Sequence, residues 1–510
     1  MEERTDHPKD NLPGGDDLRS APDRRIGDHP ILEFERGREI RFDLDGRALE
    51  GYETETIAAA LHASGVRILR RSIGRDRPRG FFCAIGRCSS CLMTVDGVPN
   101  IMTCVTPLRS GMRVETQRGK GALGNPSPGL HDAEEVGAAK DLGTVPLAIV
   151  GAGPAGLSAA IAAGRLGVSS LIIDENRTPG GQLIKQTHMF FGSREHYARV
   201  RGIDIGRELV AELDGLPAKL LLDTTALGLY PERTLSLLKD GAHMRISAEA
   251  VILAAGASEN MLAFEGCDLP GVYGAGAVQT LMNVHGISPG RRVLMVGAGN
   301  IGLIVSYQLL QAGVEVAAVV DALPEIGGYH VHAAKIRRAG VPILTSHTIV
   351  RAIGADGVEG ATVCEVDSDW APVPDSERTF DVDTICLAVG LTPNCELALQ
   401  SGCEDAYLSD LGGHVVVHGE DLETTASRVY IAGDASGIEE ASTAMLEGRL
   451  AGLAAALAVR PEIDRGEVDR LMRETRAGLE ELRNGPFGEK PRLGKARMIE
   501  LARAVQERSS

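Results

Sequence analysis

Residues 145–183 read VPLAIVGAGPAGLSAAIAAGRLGVSSLIIDENRTPGGQL. An apolar strand runs straight into Gly151, Gly153 and Gly156, an Ala-rich helix opens at Pro154 and Ala155, and a second apolar strand ends at Asp174 beside Glu175. A lone G-x-G-x-x-G is weak, but between strand and helix, with an acid about 20 residues on, it marks a βαβ dinucleotide site. The first glycine allows the tight turn, the second lets a pyrophosphate approach the backbone, and the third lets helix and strand pack. The helix N-terminus then faces the phosphate charge. The design recurs at 291–324, RRVLMVGAGNIGLIVSYQLLQAGVEVAAVVDALP, with Gly297, Gly299, Asn300 and Gly302 at the turn and Asp321 ending the next strand. Two dinucleotide sites are therefore encoded. Between them VILAAGASEN (251–260) stops an apolar strand at Gly256, TICLAVGLTPN (384–394) reads as the chain crossing back, and RVYIAGDASG (428–437) ends a strand at Gly433 and Asp434. The second domain is expected to be inserted into the first.

Upstream, FFCAIGRCSSCLMTVDG (81–97) sets Cys83, Cys88 and Cys91 as C-x4-C-x2-C, and Cys104 follows thirteen positions later. Four thiols within 22 residues match a plant-type 2Fe-2S loop, which takes three thiolates from one turn and a fourth from elsewhere. Gly86 and Gly97 suit the turns that fold this loop. Tetrahedral zinc more often uses paired C-x2-C knuckles, and buried structural cysteine does not explain four thiols in one polar loop. Before it, ILEFERGREIRFDLDG (31–46) predicts a hairpin around Arg36 and Gly37, TETIAAALHASGV (54–66) a helix, and MRVETQ (112–117) a closing strand. That order is a small β-grasp domain.

The bulk numbers frame these motifs. At 510 residues the chain exceeds one core. With 62 glycines and 4% aromatics it has the balance of an α/β protein. A net charge of -17 opposes nucleic acid and anionic membrane surfaces. The best apolar run, LAGLAAALAV (450–459), is shorter than the roughly 20 residues of a membrane span, so no span is expected. The first residues carry no apolar signal core, and nine cysteines, an odd number, suit a cytoplasmic, reducing location. The expected organisation is a disordered tail (1–28), a 2Fe-2S ferredoxin-like domain (29–118), a linker (119–145), a split Rossmann-like domain (146–265 and 386–458), an inserted dinucleotide-binding domain (266–385) and a helical C-terminal tail (459–510) that docks on a neighbour. His330 and His332 in GGYHVHAAKIRR read as loop and helix-start residues, the other cysteines as core, and Trp370 as a loop residue; none receives a role.

GAGPAGL, PGGQL, LAAGASEN and IAGDASG resemble the two-dinucleotide-binding flavoproteins of the thioredoxin reductase type. With the cysteine block ahead of them, residues 31–458 resemble the α-subunit group of sarcosine oxidase, hydrogen cyanide synthase and dye-linked proline or hydroxyproline dehydrogenases. The resemblance implies FAD on Gly151, Gly153, Pro154, Ala155 and Gly156, with Asp174 or Glu175 on the adenosine ribose. It implies Gly181 and Gln182 near the isoalloxazine and Gly433 and Asp434 near the ribityl chain or pyrophosphate. It implies NAD on Gly297, Gly299, Asn300 and Gly302, with Asp321 favouring NAD over NADP because a carboxylate repels a 2′-phosphate. Thioredoxin reductase's C-x2-C is absent, since Cys267, Cys364, Cys386, Cys395 and Cys403 are scattered, and no cysteine follows Cys403 to build a second cluster. The implied activity is an electron relay between NAD(H), FAD and the 2Fe-2S cluster, partnered by an amine-oxidising flavoprotein β-type subunit. Two alternatives are a self-sufficient NADH-dependent reductase of a ferredoxin or small molecule, and a scaffold with vestigial nucleotide sites. No catalytic proton-transfer residue is assigned.

Overall fold

The computed structural model describes residues 23–121, 139–191 and 193–509, and these divide into two compact units. Among the described residues, one holds 23–121 together with Met261–Ala388; the other holds 139–260 and 389–509. Residues 1–22 of the expected tail and most of the expected linker lie outside the described residues. Two edges of that scheme are different in the structure. Residues 24–26 are packed, with Ile26 buried and its N–H bonded to Gly286 O, and Arg25 paired to buried Glu55 at 2.7 Å. Residues 140–145 already belong to the long strand Lys140–Val150.

In the first unit a five-stranded sheet runs Arg47–Tyr52, Glu39–Leu44, Arg113–Glu115, Leu92–Val95, Val98–Met102, with Glu39–Leu44 and Arg113–Glu115 parallel. The helix Ile57–Ala63, capped by Thr56, is buried along its length, which completes a β-grasp fold. The hairpin turn is not at Arg36 and Gly37. It is at Asp45 and Gly46, both at positive φ, where Asp43 Oδ1 accepts from Gly46 N–H at 2.8 Å. An Asp-Gly pair supplies the twist that joins antiparallel strands, and the register buries Ile40, Phe42 and Leu44 on one face.

Met261–Ala388 supplies a five-stranded parallel sheet in the order Val272–Gly274, Thr384–Leu387, Arg292–Val296, Glu315–Asp321, Ile343–Thr345. It shares one hydrophobic core with the β-grasp sheet. A Cβ on Gly286 would fall 2.7 Å from the Phe34 ring, and one on Gly80 would fall 2.9 Å from Pro270. Arg77 and Arg79 both pair with Asp268, at 2.6 and 2.7 Å. The buried His62 ring, held neutral by burial with a pKa lowered to about 3, bonds to Ser288 O.

The second unit repeats that sheet order. Ala218–Leu221, Ser170–Ile173, Lys140–Val150 and Ala242–Leu253 lie side by side, and Val429–Ile431 adds in parallel to Ala242–Leu253. Strand Val429–Ile431 thus returns to its sheet only after the insertion. Two short strands, Ala257–Glu259 and Leu391–Pro393, pair where the chain leaves and re-enters. The helix Ala441–Val459 extends beyond the apolar run seen in sequence to 19 residues, long and apolar enough by composition to cross a membrane, yet 72% of that window is buried. It is a core helix. Gly448 and Gly452 let it approach the helix Pro154–Arg165 so closely that a Cβ on either would meet Ala155 O or Ala159 O at 2.0 and 2.4 Å. The helix Arg465–Arg483 adds Val468, Met472 and Leu479 to this core, and Glu489–Ser509 adds Met498, Ala502 and Val505 to a smaller one with Leu411 and Val415. The segment expected to dock on a neighbour is thus part of its own unit.

Candidate functional site

The four cysteines of the β-grasp unit face one another. Cys83 meets the thiols of Cys104 and Cys88, and Cys91 meets that of Cys104. Their chain segments are shaped for this. Ala84, Gly86 and Ser89 all take positive φ, which turns the N–H groups of Ile85 and Arg87 onto Cys83 and that of Ser90 onto Cys88. Thr103 donates through Oγ1 to Cys91 O at 2.6 Å, pinning the return segment beside the loop. Hydrogen bonds from the Cys104 and Cys88 thiols, with backbone N–H groups, hold the Cys83 thiol well below its usual range, and the Cys104 thiol lowers Cys91, while the neighbouring sulfurs and burial push Cys88 and Cys104 up. Sulfurs packed this closely share protons that a metal centre would displace. Cys83, Cys91 and Cys104 are buried and Cys88 half-buried, with all four free of disulfides. No group of three or more His, Cys, Asp or Glu side chains among the described residues is arranged for a single metal ion. A two-iron cluster asks for something else, two thiolates on each iron.

At the first fingerprint the three glycines divide their work. A Cβ on Gly151 would stand 2.3 Å from Ala254 O, and one on Gly156 would stand 1.8 Å from Gly151 O. These two serve the fold. A Cβ on Gly153 would meet nothing nearer than Gly181 Cα at 3.8 Å, so its bare backbone answers no neighbour and leaves room for a ligand. Gly153 is the N-cap of the helix that begins at Pro154, with Ala155 following. Asp174 lies buried at the strand end, where Oδ2 accepts from Ala152 N–H at 2.6 Å and Oδ1 from Asn176 N–H at 2.7 Å. Glu175 is exposed next to it. Gly181, at φ 54, lies against Gly153, and Gln182 follows it, exposed. Gly433 is drawn to the same helix, since its Cβ would lie 2.9 Å from Ala155 Cβ.

The second fingerprint has the same geometry. A Cβ on Gly297 would meet Ala388 O at 2.2 Å and one on Gly302 would meet Gly297 O at 2.0 Å, whereas one on Gly299 would meet nothing within 4 Å. Asp321 Oδ2 accepts from Ala298 N–H at 2.6 Å and its Oδ1 from Leu323 N–H at 2.9 Å. Gly327 and Gly328 take the place of Gly180 and Gly181, and Asn300 Oδ1 accepts from Tyr329 N–H at 2.8 Å. Asn300 therefore ties down a loop with its amide oxygen.

Sequence reasoning missed a buried charge network behind Gly433 and Asp434. Glu447 Oε2 accepts from Gly433 N–H at 3.0 Å and from Ser436 Oγ at 2.6 Å, while Oε1 takes Arg483 at 2.6 Å and Lys495 at 2.8 Å. Arg483 also pairs with Glu439 at 2.6 Å. Burial opposes ionisation of Glu447, but Lys495 and Arg483 outweigh it and hold the carboxyl down to about 2. Asp434, half-buried, is pushed up to about 7 by desolvation of its carboxyl and by the nearby Glu447 and Glu439. The signal was present: Glu447 is the one acid in the apolar helix Ala441–Val459, and a buried charge requires a partner.

Set against known proteins, residues 145–448 match the pyridine nucleotide-disulphide oxidoreductase family and residues 37–119 a 2Fe-2S iron-sulfur cluster binding domain. The chain is 28% identical to the alpha subunit of sarcosine oxidase from Rhizobium meliloti (strain 1021) over 74% of its own length and 42% of that protein's. It is 30% identical to a chain of opine oxidase from the same strain, over 64% of this chain and 73% of the relative. It spans less than half the length of the sarcosine oxidase alpha relatives it matches. In fold it is similar to L-proline dehydrogenase from P. horikoshii, at a TM-score of 0.66 and 23% identity, covering 88% of this chain and 79% of that one.

Proposed function

We propose, for a chain that belongs to the pyridine nucleotide-disulphide oxidoreductase family and carries a 2Fe-2S domain ahead of it, an α-type subunit that relays electrons between NAD(H), FAD and the iron-sulfur cluster. The observation that carries this reading is the division of labour among the glycines. In both fingerprints the outer two are needed by the fold and the middle one, Gly153 or Gly299, is bare without a packing reason. A scaffold with vestigial sites has no use for that. When bound, the flavin supplies two-electron exchange with nicotinamide and the cluster one-electron transfer.

On this reading Gly153, Pro154 and Ala155 present the helix N-terminus to the FAD pyrophosphate, Gly151 and Gly156 hold the turn, and Asp174 or Glu175 takes the ribose. Asp174 accepts from Ala152 N–H, Asn176 N–H and Asn176 Nδ2, and since a carboxylate offers about four acceptor sites one is left on Oδ2 for a hydroxyl. Gly181 and Gln182 border the flavin ring, and Gly433 and Asp434 meet the chain between ring and phosphates. Gly297, Gly299, Asn300 and Gly302 receive NAD(H), Asp321 its ribose. Cys83, Cys88, Cys91 and Cys104 ligate the cluster. The donor set fits each group.

The relatives' names support an amine or imino-acid substrate oxidised by a β-type flavoprotein partner. A cytoplasmic setting is supported by nine free cysteines. The ligand assignment is tested by Cys88→Ser, which is expected to remove the reduced-cluster EPR signal while bound FAD stays; full cluster absorbance in that variant refutes it. The partner assignment expects no turnover of sarcosine, proline or an opine by the purified chain alone. Substantial turnover without a partner would sink it.

A further inference from the structure

We propose that the last two described helices form a clasp on the flavin site, in which Lys495 and Arg483 act as positioning residues that hold the Gly433–Ser436 turn in its cofactor-receiving shape. The inference rests on the reading that this turn meets FAD. Lys495 is not a surface lysine. Its side chain is 8% exposed, and Nζ donates to Ser436 Oγ at 2.7 Å, Glu447 Oε1 at 2.8 Å and Ser436 O at 3.0 Å. An ammonium has three protons, and these contacts account for them. His418 stands 3.4 Å from Nζ through Nε2, while its Nδ1 faces Gly419 O at 2.9 Å, which fits a neutral ring donating through Nδ1 with its lone pair on Nε2 toward the ammonium.

Glu447 is the hub. One of its oxygens holds both ends of the turn, Gly433 N–H and Ser436 Oγ, and the other receives cations from two different helices. The turn needs holding. Gly433 sits at φ 69 against Ala155, so the turn is wedged onto the first turn of the fingerprint helix. An apolar cluster of the same volume is often as stable as a buried ion network, so stability alone does not account for the polar groups buried here. Fixing a geometry does.

The experiment measures FAD affinity of the full chain by fluorescence titration of flavin-stripped protein, alongside thermal melting and NADH affinity. Lys495→Met is expected to weaken FAD binding by at least about tenfold, Lys495→Arg to recover most of that, and exposed Lys490→Met to change nothing, with NADH affinity constant throughout. A folded Lys495→Met protein that binds FAD as tightly as the parent overturns the clasp. Should that variant fail to fold, Ser436→Ala removes only a hydroxyl; it is expected to weaken FAD binding several-fold, and unchanged affinity overturns the proposal equally. Gly433→Ala separates this from the underlying reading. If Gly433→Ala keeps FAD, the turn does not meet the cofactor; if it loses FAD while folded Lys495→Met keeps it, the clasp alone is wrong.

Discussion

The two fingerprints share sheet order, glycine geometry and a carboxylate that ties the turn to the neighbouring strand, and they part company one strand further on. In the second unit Val429–Ile431 runs into Gly433 and Asp434, backed by Glu447, Arg483 and Lys495. In the first unit the strand in the equivalent place, Val272–Gly274, runs into the helix Ala275–Gln279, and residues 275–284 contain no acid. One fingerprint is half of a two-sided site and the other stands alone. The physical lesson is that a repeated motif fixes how a phosphate is met, while what surrounds the far end of the ligand separates a resident cofactor from an exchangeable one. On the proposed reading FAD takes the first arrangement and NAD(H) the second.

The comparison breaks most visibly at the outer glycines. Gly156→Ala and Gly302→Ala drive a methyl onto a carbonyl oxygen, and each is expected to cost roughly 3 kcal/mol or more of unfolding free energy in denaturant titration. Gly153→Ala and Gly299→Ala meet no such obstacle. Each should leave the melting temperature unchanged and weaken its own ligand about 100-fold, equivalent to about 2.7 kcal/mol, FAD for the first and NADH for the second, by fluorescence titration. Loss of FAD in Gly299→Ala would mean that the two sites are not distinct in the way their surroundings imply.

Two smaller effects sharpen the contrast. Asp434 keeps its proton in the folded protein up to about pH 7, whereas in the unfolded chain it loses it near 3.8. The folded state therefore binds the extra proton, and its stability falls as pH rises through that window. Between pH 5.5 and 7 the flavin-free protein is expected to lose about 1.5 kcal/mol from this group, and Asp434→Asn to flatten the slope in urea titrations at each pH. Glu447 has the opposite sign, its contribution being present above pH 4.5 and lost only as pH falls toward 2. At the second site Asp321→Ser should reduce the preference for NADH over NADPH about tenfold, read from the ratio of their dissociation constants. An unchanged ratio would show that the ribose is held elsewhere.

Much of this was legible because local chemistry writes itself into spacing. Gly151, Gly156, Gly297 and Gly302 are forced by carbonyls a few residues away or on the adjacent strand, so the triplets announce both folds. Cys83, Cys88 and Cys91 sit in one loop whose positive-φ residues turn N–H groups onto sulfur. What sequence did not disclose was long-range. The hairpin turn was displaced because Arg36 and Gly37 look like a turn pair, while Asp45 and Gly46 are the pair that keeps Ile40, Phe42 and Leu44 on one face. The shared core of the β-grasp sheet with Met261–Ala388 depends on fits such as Phe34 against Gly286, which no periodicity records. The charge network unites Glu447 with cations from two later helices whose surface pattern reads as ordinary solvated arginine and lysine.

The most direct test of the relay is anaerobic titration of the purified chain with NADH, following flavin and cluster absorbance together with EPR of the reduced cluster. The flavin is expected to bleach and the reduced-cluster signal to appear in the same titration. If NADH leaves both centres oxidised while dithionite reduces them, the second fingerprint does not feed the first, and the relay is contradicted.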